Sequence, residues 1–137
     1  MVRAFFQGTI ARATETGYVE TLYGRRRGVP DLTSSNGMRR SAAERVATNT
    51  PLQGTAADIM KIAMINLHGE LREQQVPANM LLQVHDELVL ETSQADMQDV
   101  ARLVKTTMES VAELSVPLTV DASWGPNWND QTDLDLD

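Results

Sequence analysis

Between Leu81 and Glu91 the chain reads Leu-Leu-Gln-Val-His-Asp-Glu-Leu-Val-Leu-Glu, two apolar runs parted by a polar step that carries adjacent carboxylates. Burying an unpaired charge costs several kcal/mol, so a single buried element cannot run through these residues. A hairpin resolves the conflict, with the apolar residues packed below and Asp86 and Glu87 emerging at the rim. Such a rim suits Mg²⁺, which prefers oxygen ligands and takes only one or two protein carboxylates. An ordinary polar hairpin tip accounts for the same residues. From this segment alone the two readings stand level.

The rest of the chain reads as helices and short strands. Val2, Phe5, Phe6, Thr9, Ile10 and Ala13 fall at helical spacing, ending near Gly17. Tyr18–Leu22 reads as a strand that turns at Tyr23-Gly24-Arg25, and 25–30 is its return arm or a basic loop. Ser35 or Asn36 is placed to cap a helix from about Met38 to Thr48. Pro51 biases the preceding residue away from helical angles, and Thr50-Pro51-Leu52-Gln53 has the form of a capping box. A break is therefore predicted there, followed by a second helix to about Arg72. Its apolar stripe is Leu52, Ala56, Ile59, Ala63, Leu67 and Leu71. A helix bearing Met97, Val100, Leu103, Val104, Met108 and Val111 follows the hairpin. Pro117–Ala122 reads as a last strand, with Trp124 and Trp128 closing the fold. This order predicts an α+β domain over residues 1–128, its helices packed on a small antiparallel sheet that includes the carboxylate-bearing hairpin. Residues 129–137, with Asp130, Asp133, Asp135 and Asp137, read as an acidic, disordered tail.

The net charge of −7 argues against nucleic acid as a partner, because binding relies on Lys and Arg to neutralise phosphates. Its distribution argues the other way. Residues 1–45 hold eight of the 12 basic and four of the 19 acidic residues, leaving the remainder strongly acidic. No apolar run reaches the roughly 18 residues of a membrane span. The absence of cysteine removes disulfides and thiolate metal sites and fits a reducing cytoplasm.

Arg45, Asn49 and Gln53 recur at every fourth position. On a continuous helix they form a polar stripe, drifting about 40° per step at ~100° per residue. Arg supplies a donor fork, while Asn and Gln both donate and accept. Such a stripe matches the minor groove, where purine N3 and pyrimidine O2 acceptors recur with every base pair and contact is nearly blind to sequence. Each residue also has a plain structural reading: Gln53 completes a capping box, Asn49 ends a helix, Arg45 is solvated. Arg25-Arg26-Arg27 is open to phosphate binding or to simple solvation. His68, on the polar edge of a helix, reads as structural.

Taken together, the segments match one family. Gln83-Val84-His85-Asp86-Glu87 resembles the carboxylate motif in the palm of family A DNA polymerases, the bacterial DNA polymerase I type. Gly17-Tyr18-Val19-Glu20-Thr21-Leu22, Gly24-Arg25-Arg26, Pro30-Asp31 and Ser34-Ser35-Asn36-Gly37 are similar to successive landmarks of that family's C-terminal region. Arg39–Arg45 and Asn49–Asp58 continue the series in order. The resemblance implies that Arg45, Asn49 and Gln53 contact template or primer near the terminal base pair, and that His85 contacts the primer strand. It makes Asp86 a metal-binding catalytic carboxylate, with Glu87 beside it in support. Two Mg²⁺ ions would then assist attack by the primer 3′-hydroxyl on the α-phosphate of a deoxynucleoside triphosphate. Gly54 and Ala56 would serve close packing.

The family also needs a second metal-binding aspartate and a basic fingers helix for the incoming nucleotide. No Asp-Tyr-Ser-Gln and no Arg-Arg-x-x-Lys occurs here. The chain is therefore expected to act in primer–template DNA synthesis only when a missing N-terminal polymerase portion joins it in cis or trans, and to be inactive alone. Its expected location is the cytoplasm of a bacterium or of a phage host, with no membrane contact, and exposed apolar surface predicts self-association. The alternative is a non-catalytic DNA-binding or assembly module, a split or degenerate remnant. A stand-alone Mg²⁺-dependent nuclease ranks below both, since it needs a second carboxylate cluster and the tail alone is dense in acids.

Overall fold

The computed structural model describes residues 2–136, and the chain divides into two compact units after Asp58. In the first unit, α1 (Val2–Thr16) buries Thr9 and Ala13. It stops as expected at Gly17, whose φ of +81° lies where L side chains are disfavoured. Strands β1 (Tyr18–Glu20) and β2 (Arg26–Gly28) pair antiparallel, Tyr18 opposite Gly28 and Glu20 opposite Arg26. A short 3-10 turn at Pro30–Thr33 follows and buries Leu32. Ala13, Val19, Val29, Leu32, Ala43 and Ala47 form the core of this unit, with Ile10 and Val46 packed against it.

Helix α2 spans Gly37–Glu73 without interruption. Asn36 caps it, its Oδ1 accepting from the Met38 and Arg39 N–H groups at 3.0 and 3.3 Å. The expected break at Pro51 does not occur. A proline inside a helix forfeits one backbone hydrogen bond and costs about 3 kcal/mol, so tertiary contacts must offset it. They come from the β1–β2 arm. Arg27 Nη1 donates to Thr50 Oγ1 at 3.3 Å, the Leu22 N–H donates to Thr55 Oγ1 at 2.9 Å, and Thr50 is buried. The capping box is not used, because α2 runs on through Thr50 and Gln53 and leaves no terminus to cap there; the Thr50 hydroxyl accepts from Arg27. Where α2 ends, Gln75 adopts φ +53° and the Val76 N–H donates to the Leu71 carbonyl at 2.9 Å, the pattern that usually recruits glycine.

The expected apolar stripe on α2 is buried only in part. Ala63, Leu67 and Leu71 are buried, whereas Ala56 is exposed and Leu52 is 55% exposed. Before Asp58 the buried face instead carries Ala43, Ala47 and Thr50. Leu52 stands two residues, about 200° round the axis, from both Thr50 and Gly54, and so faces away from the side the β1–β2 arm covers.

In the second unit, β3 (Ala78–Val84) and β4 (Glu87–Thr92) form the expected hairpin, Val84 opposite Glu87. A bulge between Met80 and Leu82 leaves Leu81 without an opposite residue. Helix α3 (Met97–Glu109) buries Val100, Thr107 and Met108. Strand β5 (Ala122–Trp124) starts where the predicted last strand, Pro117–Ala122, was to end, and pairs with β6 (Thr132–Leu134). Residues 132–134, expected to lie in a disordered tail, thus belong to a ribbon. Its turn has local causes. Asn127 Oδ1 accepts from the Asn129 and Asp130 N–H groups, and a Cβ on Gly125 would lie 1.7 Å from the Asp130 carbonyl oxygen. The Asn127 and Asn129 amides also donate to the Asp130 carboxylate and hold its pKa below the ordinary value.

The fold is α+β, with three α-helices and small antiparallel sheets among the described residues. The sheets are three separate two-stranded ribbons rather than one continuous layer. Among the described residues, no helix is long and apolar enough to cross a membrane.

Candidate nucleic-acid and metal interface

Because α2 continues through Pro51, Arg45, Asn49 and Gln53 do share one helix. All three are exposed. The stripe one residue further on, Thr50, Gly54 and Asp58, lies about 100° round the axis and is the side held by the β1–β2 arm. Arg25 Nε donates to Asp58 Oδ1 at 2.7 Å, and its Nη2 donates to the Gly54 carbonyl at 3.0 Å. A Cβ on Gly54 would meet Thr21 Cγ2 at 2.7 Å, so only glycine lets the arm sit this close. The expected close-packing role of Gly54 is seen here, whereas Ala56 is exposed.

The run Arg25-Arg26-Arg27 resolves into three separate tasks. Arg25 grips α2. Arg26 Nε lies 3.3 Å from Glu20 Oε2, and its guanidinium sits 4.5 Å from the centre of the Tyr18 ring. Arg27 reaches Thr50.

His85, Asp86 and Glu87 meet at the tip of the β3–β4 hairpin and are all exposed. His85 takes φ +54°, the left-handed region that costs most residues 1–2 kcal/mol but admits His, Asn and Asp more readily. The Gln83 side-chain amide donates to the His85 carbonyl and braces that conformation. Asp86, on the two-residue turn, and Glu87, the first residue of β4, are therefore adjacent oxygen donors, a set that suits a hard cation such as Mg²⁺. Among the described residues no group of three or more His, Cys, Asp or Glu side chains converges as a metal cage. The stripe lies in the first unit and the tip in the second.

Arg25, Asp58 and Gln83 escaped the sequence reading. Arg25 and Asp58 lie 33 residues apart, with no local pattern to link them. Gln83 was visible only as part of a motif, and its bond to a backbone carbonyl two residues away leaves no periodic mark.

Residues 1–130 match the family model for DNA polymerase family A. The chain is 48% identical over 134 residues to DNA polymerase I of Chloroflexus aurantiacus, covering 97% of this chain and 14% of that protein. It is 53% identical over 127 residues to the thermostable DNA polymerase I of Thermus caldophilus, covering 93% of this chain and 15% of that one. Among solved structures, the POL domain of Pol1 from M. smegmatis, in complex with DNA primer-template and dNTP, superposes with a TM-score of 0.82 at 43% identity. That match covers 85% of this chain and 20% of the other. The chain therefore spans about one-seventh of the length of these full-length relatives. With the family pattern running through both units and nearly every element, the chain belongs to the family A DNA polymerases.

Proposed function

We propose that this chain is the C-terminal palm portion of a DNA-directed DNA polymerase. It supplies one metal-binding carboxylate and the minor-groove contacts for two-metal nucleotidyl transfer onto a primer–template. Arg45, Asn49 and Gln53 contact template and primer near the terminal pair, and His85 contacts the primer strand. Asp86 holds a catalytic Mg²⁺, with Glu87 supporting it. When bound, the ions activate the primer 3′-hydroxyl and offset charge on the departing pyrophosphate. A carboxylate outside these residues completes that site, in cis or in trans. Leu81 and Leu82, 54% and 48% exposed on β3, give the isolated chain apolar surface for self-association.

One observation carries the reading: α2 presents Arg45, Asn49 and Gln53 together to solvent while its neighbouring stripe is anchored. Amides and a guanidinium in one row can pair with groove acceptors of any base sequence. Their exposure leaves all three side chains open to such contacts.

The test is binding of this chain to a fluorescent primer–template duplex, followed by anisotropy. Each hydrogen bond is worth about 1 kcal/mol, so Asn49→Ala with Gln53→Ala is expected to weaken binding by roughly tenfold or more. The loss should be equal for duplexes of different sequence. Unchanged affinity in the double variant would remove the stripe from the interface.

A further inference from the structure

We propose that Arg25 is a positioning residue for the DNA-contact stripe: by bridging Asp58 and Gly54 it fixes the rotation of α2 that presents Asn49 and Gln53. The inference rests on the reading of that stripe as a DNA interface and adds a residue that touches no DNA. An arginine in a basic run beside such a stripe invites the opposite assignment, a phosphate contact.

The geometry favours the positioning role. Although its side chain is 53% exposed, Arg25 already directs Nε and Nη2 to two acceptors one helical turn apart, Asp58 Oδ1 at 2.7 Å and the Gly54 carbonyl at 3.0 Å. The Asp58 side chain is only 11% exposed, so its charge faces the guanidinium and little water. The Arg25 backbone is fixed as well. Its N–H donates to Thr21 Oγ1 at 3.2 Å, and its carbonyl accepts from the Thr21 N–H at 3.0 Å. The bridged stretch begins at Gly54, three residues after Pro51, and glycine and proline are the two residues least suited to a helix interior. It is therefore the part of α2 most in need of an external brace. Gln53 immediately precedes the bridged Gly54 and Asn49 lies one helical turn before Gln53, so slippage at the bridge turns the contact stripe.

Lysine keeps the charge but lacks the fork, and cannot bond both acceptors in that geometry. The experiment measures primer–template affinity of the full chain at several salt concentrations for wild type, Arg25→Lys, Arg25→Gln, Asp58→Asn and the double variant of Arg25→Lys with Asp58→Asn. Deuterium uptake over residues 50–58 is followed in parallel. Arg25→Lys is expected to bind about tenfold more weakly, with the slope of log K against log salt unchanged and faster exchange over residues 50–58. Asp58→Asn should weaken binding about threefold although it removes a negative charge, and the double variant should be no weaker than Arg25→Lys alone.

The proposal is overturned if Arg25→Lys binds like wild type, as a phosphate contact that needs only the charge would allow, or if Arg25→Gln, which removes the charge, flattens the salt slope by about one unit, the mark of a lost phosphate contact. It is equally overturned if Asp58→Asn tightens binding, as simple electrostatics requires. Should Arg25→Lys fail to fold, Asp58→Asn decides alone. The Asn49→Ala and Gln53→Ala variants separate the two layers. If they bind normally, the DNA-interface reading falls and takes this inference with it; if they weaken binding while Arg25→Lys does not, only the positioning role falls.

Discussion

Gly54 carries more of the local architecture than its size suggests. Alanine is ordinarily the better helix residue by about 0.5–1 kcal/mol, so on propensity alone Gly54→Ala should stabilise. The space denies it: the added methyl would sit 2.7 Å from Thr21 Cγ2 and 3.4 Å from Arg25 Nη2. Thr21 is buried and cannot swing aside. Overpacking of this kind costs about 1–3 kcal/mol, so Gly54→Ala is expected to lower the urea midpoint, and a rise would show that the arm yields freely. At this scale the sequence was readable where chemistry is local. Asp86 and Glu87 interrupt an apolar pattern, and Asn36 precedes a helix. Arg25 was unreadable because its partner lies 33 residues away, and a run of arginines looks the same whether solvated or committed.

Helix α2 shows how an element outgrows its local signals. Pro51 predicted a break, and the β1–β2 arm overrides it through Thr50, Gly54, Thr55 and Asp58. The side of α2 that the arm covers decides which residues are buried in this part of the helix. Leu52 and Leu67 fell on one stripe in the sequence reading, yet Leu67 is fully buried and Leu52 is 55% exposed. Leu67→Ala is therefore expected to destabilise by about 2–5 kcal/mol, and Leu52→Ala by well under 1 kcal/mol, as exposed sites do. Chemical denaturation of the two variants checks this; equal losses would mean that the stripe is buried along its whole length. The β3–β4 hairpin was legible from alternation and its two-residue turn. The β5–β6 ribbon was not, because its closure depends on the Gly125–Asp130 approach and on asparagine bonds rather than on hydrophobic pattern.

For the whole molecule, charge was the misleading quantity and order the informative one. A net charge of −7 hides a basic first third, and it is there that the exposed Arg45 is found beside Asn49. Family membership followed from many short segments in sequence, which no single composition value conveys. The separation of the sheets into ribbons was not legible, since strand patterns reveal pairing partners only across tight turns. The most direct measurement grafts residues 1–130 into the DNA polymerase I of Thermus caldophilus in place of the matching segment and follows primer extension with Mg²⁺. The graft should extend primers, and Asp86→Ala within it should abolish nucleotide addition while leaving primer–template affinity within about twofold, because a lost metal ligand is a catalytic and not a groove contact. Near-normal extension by the Asp86→Ala graft would contradict the assignment of the hairpin tip as the catalytic carboxylate.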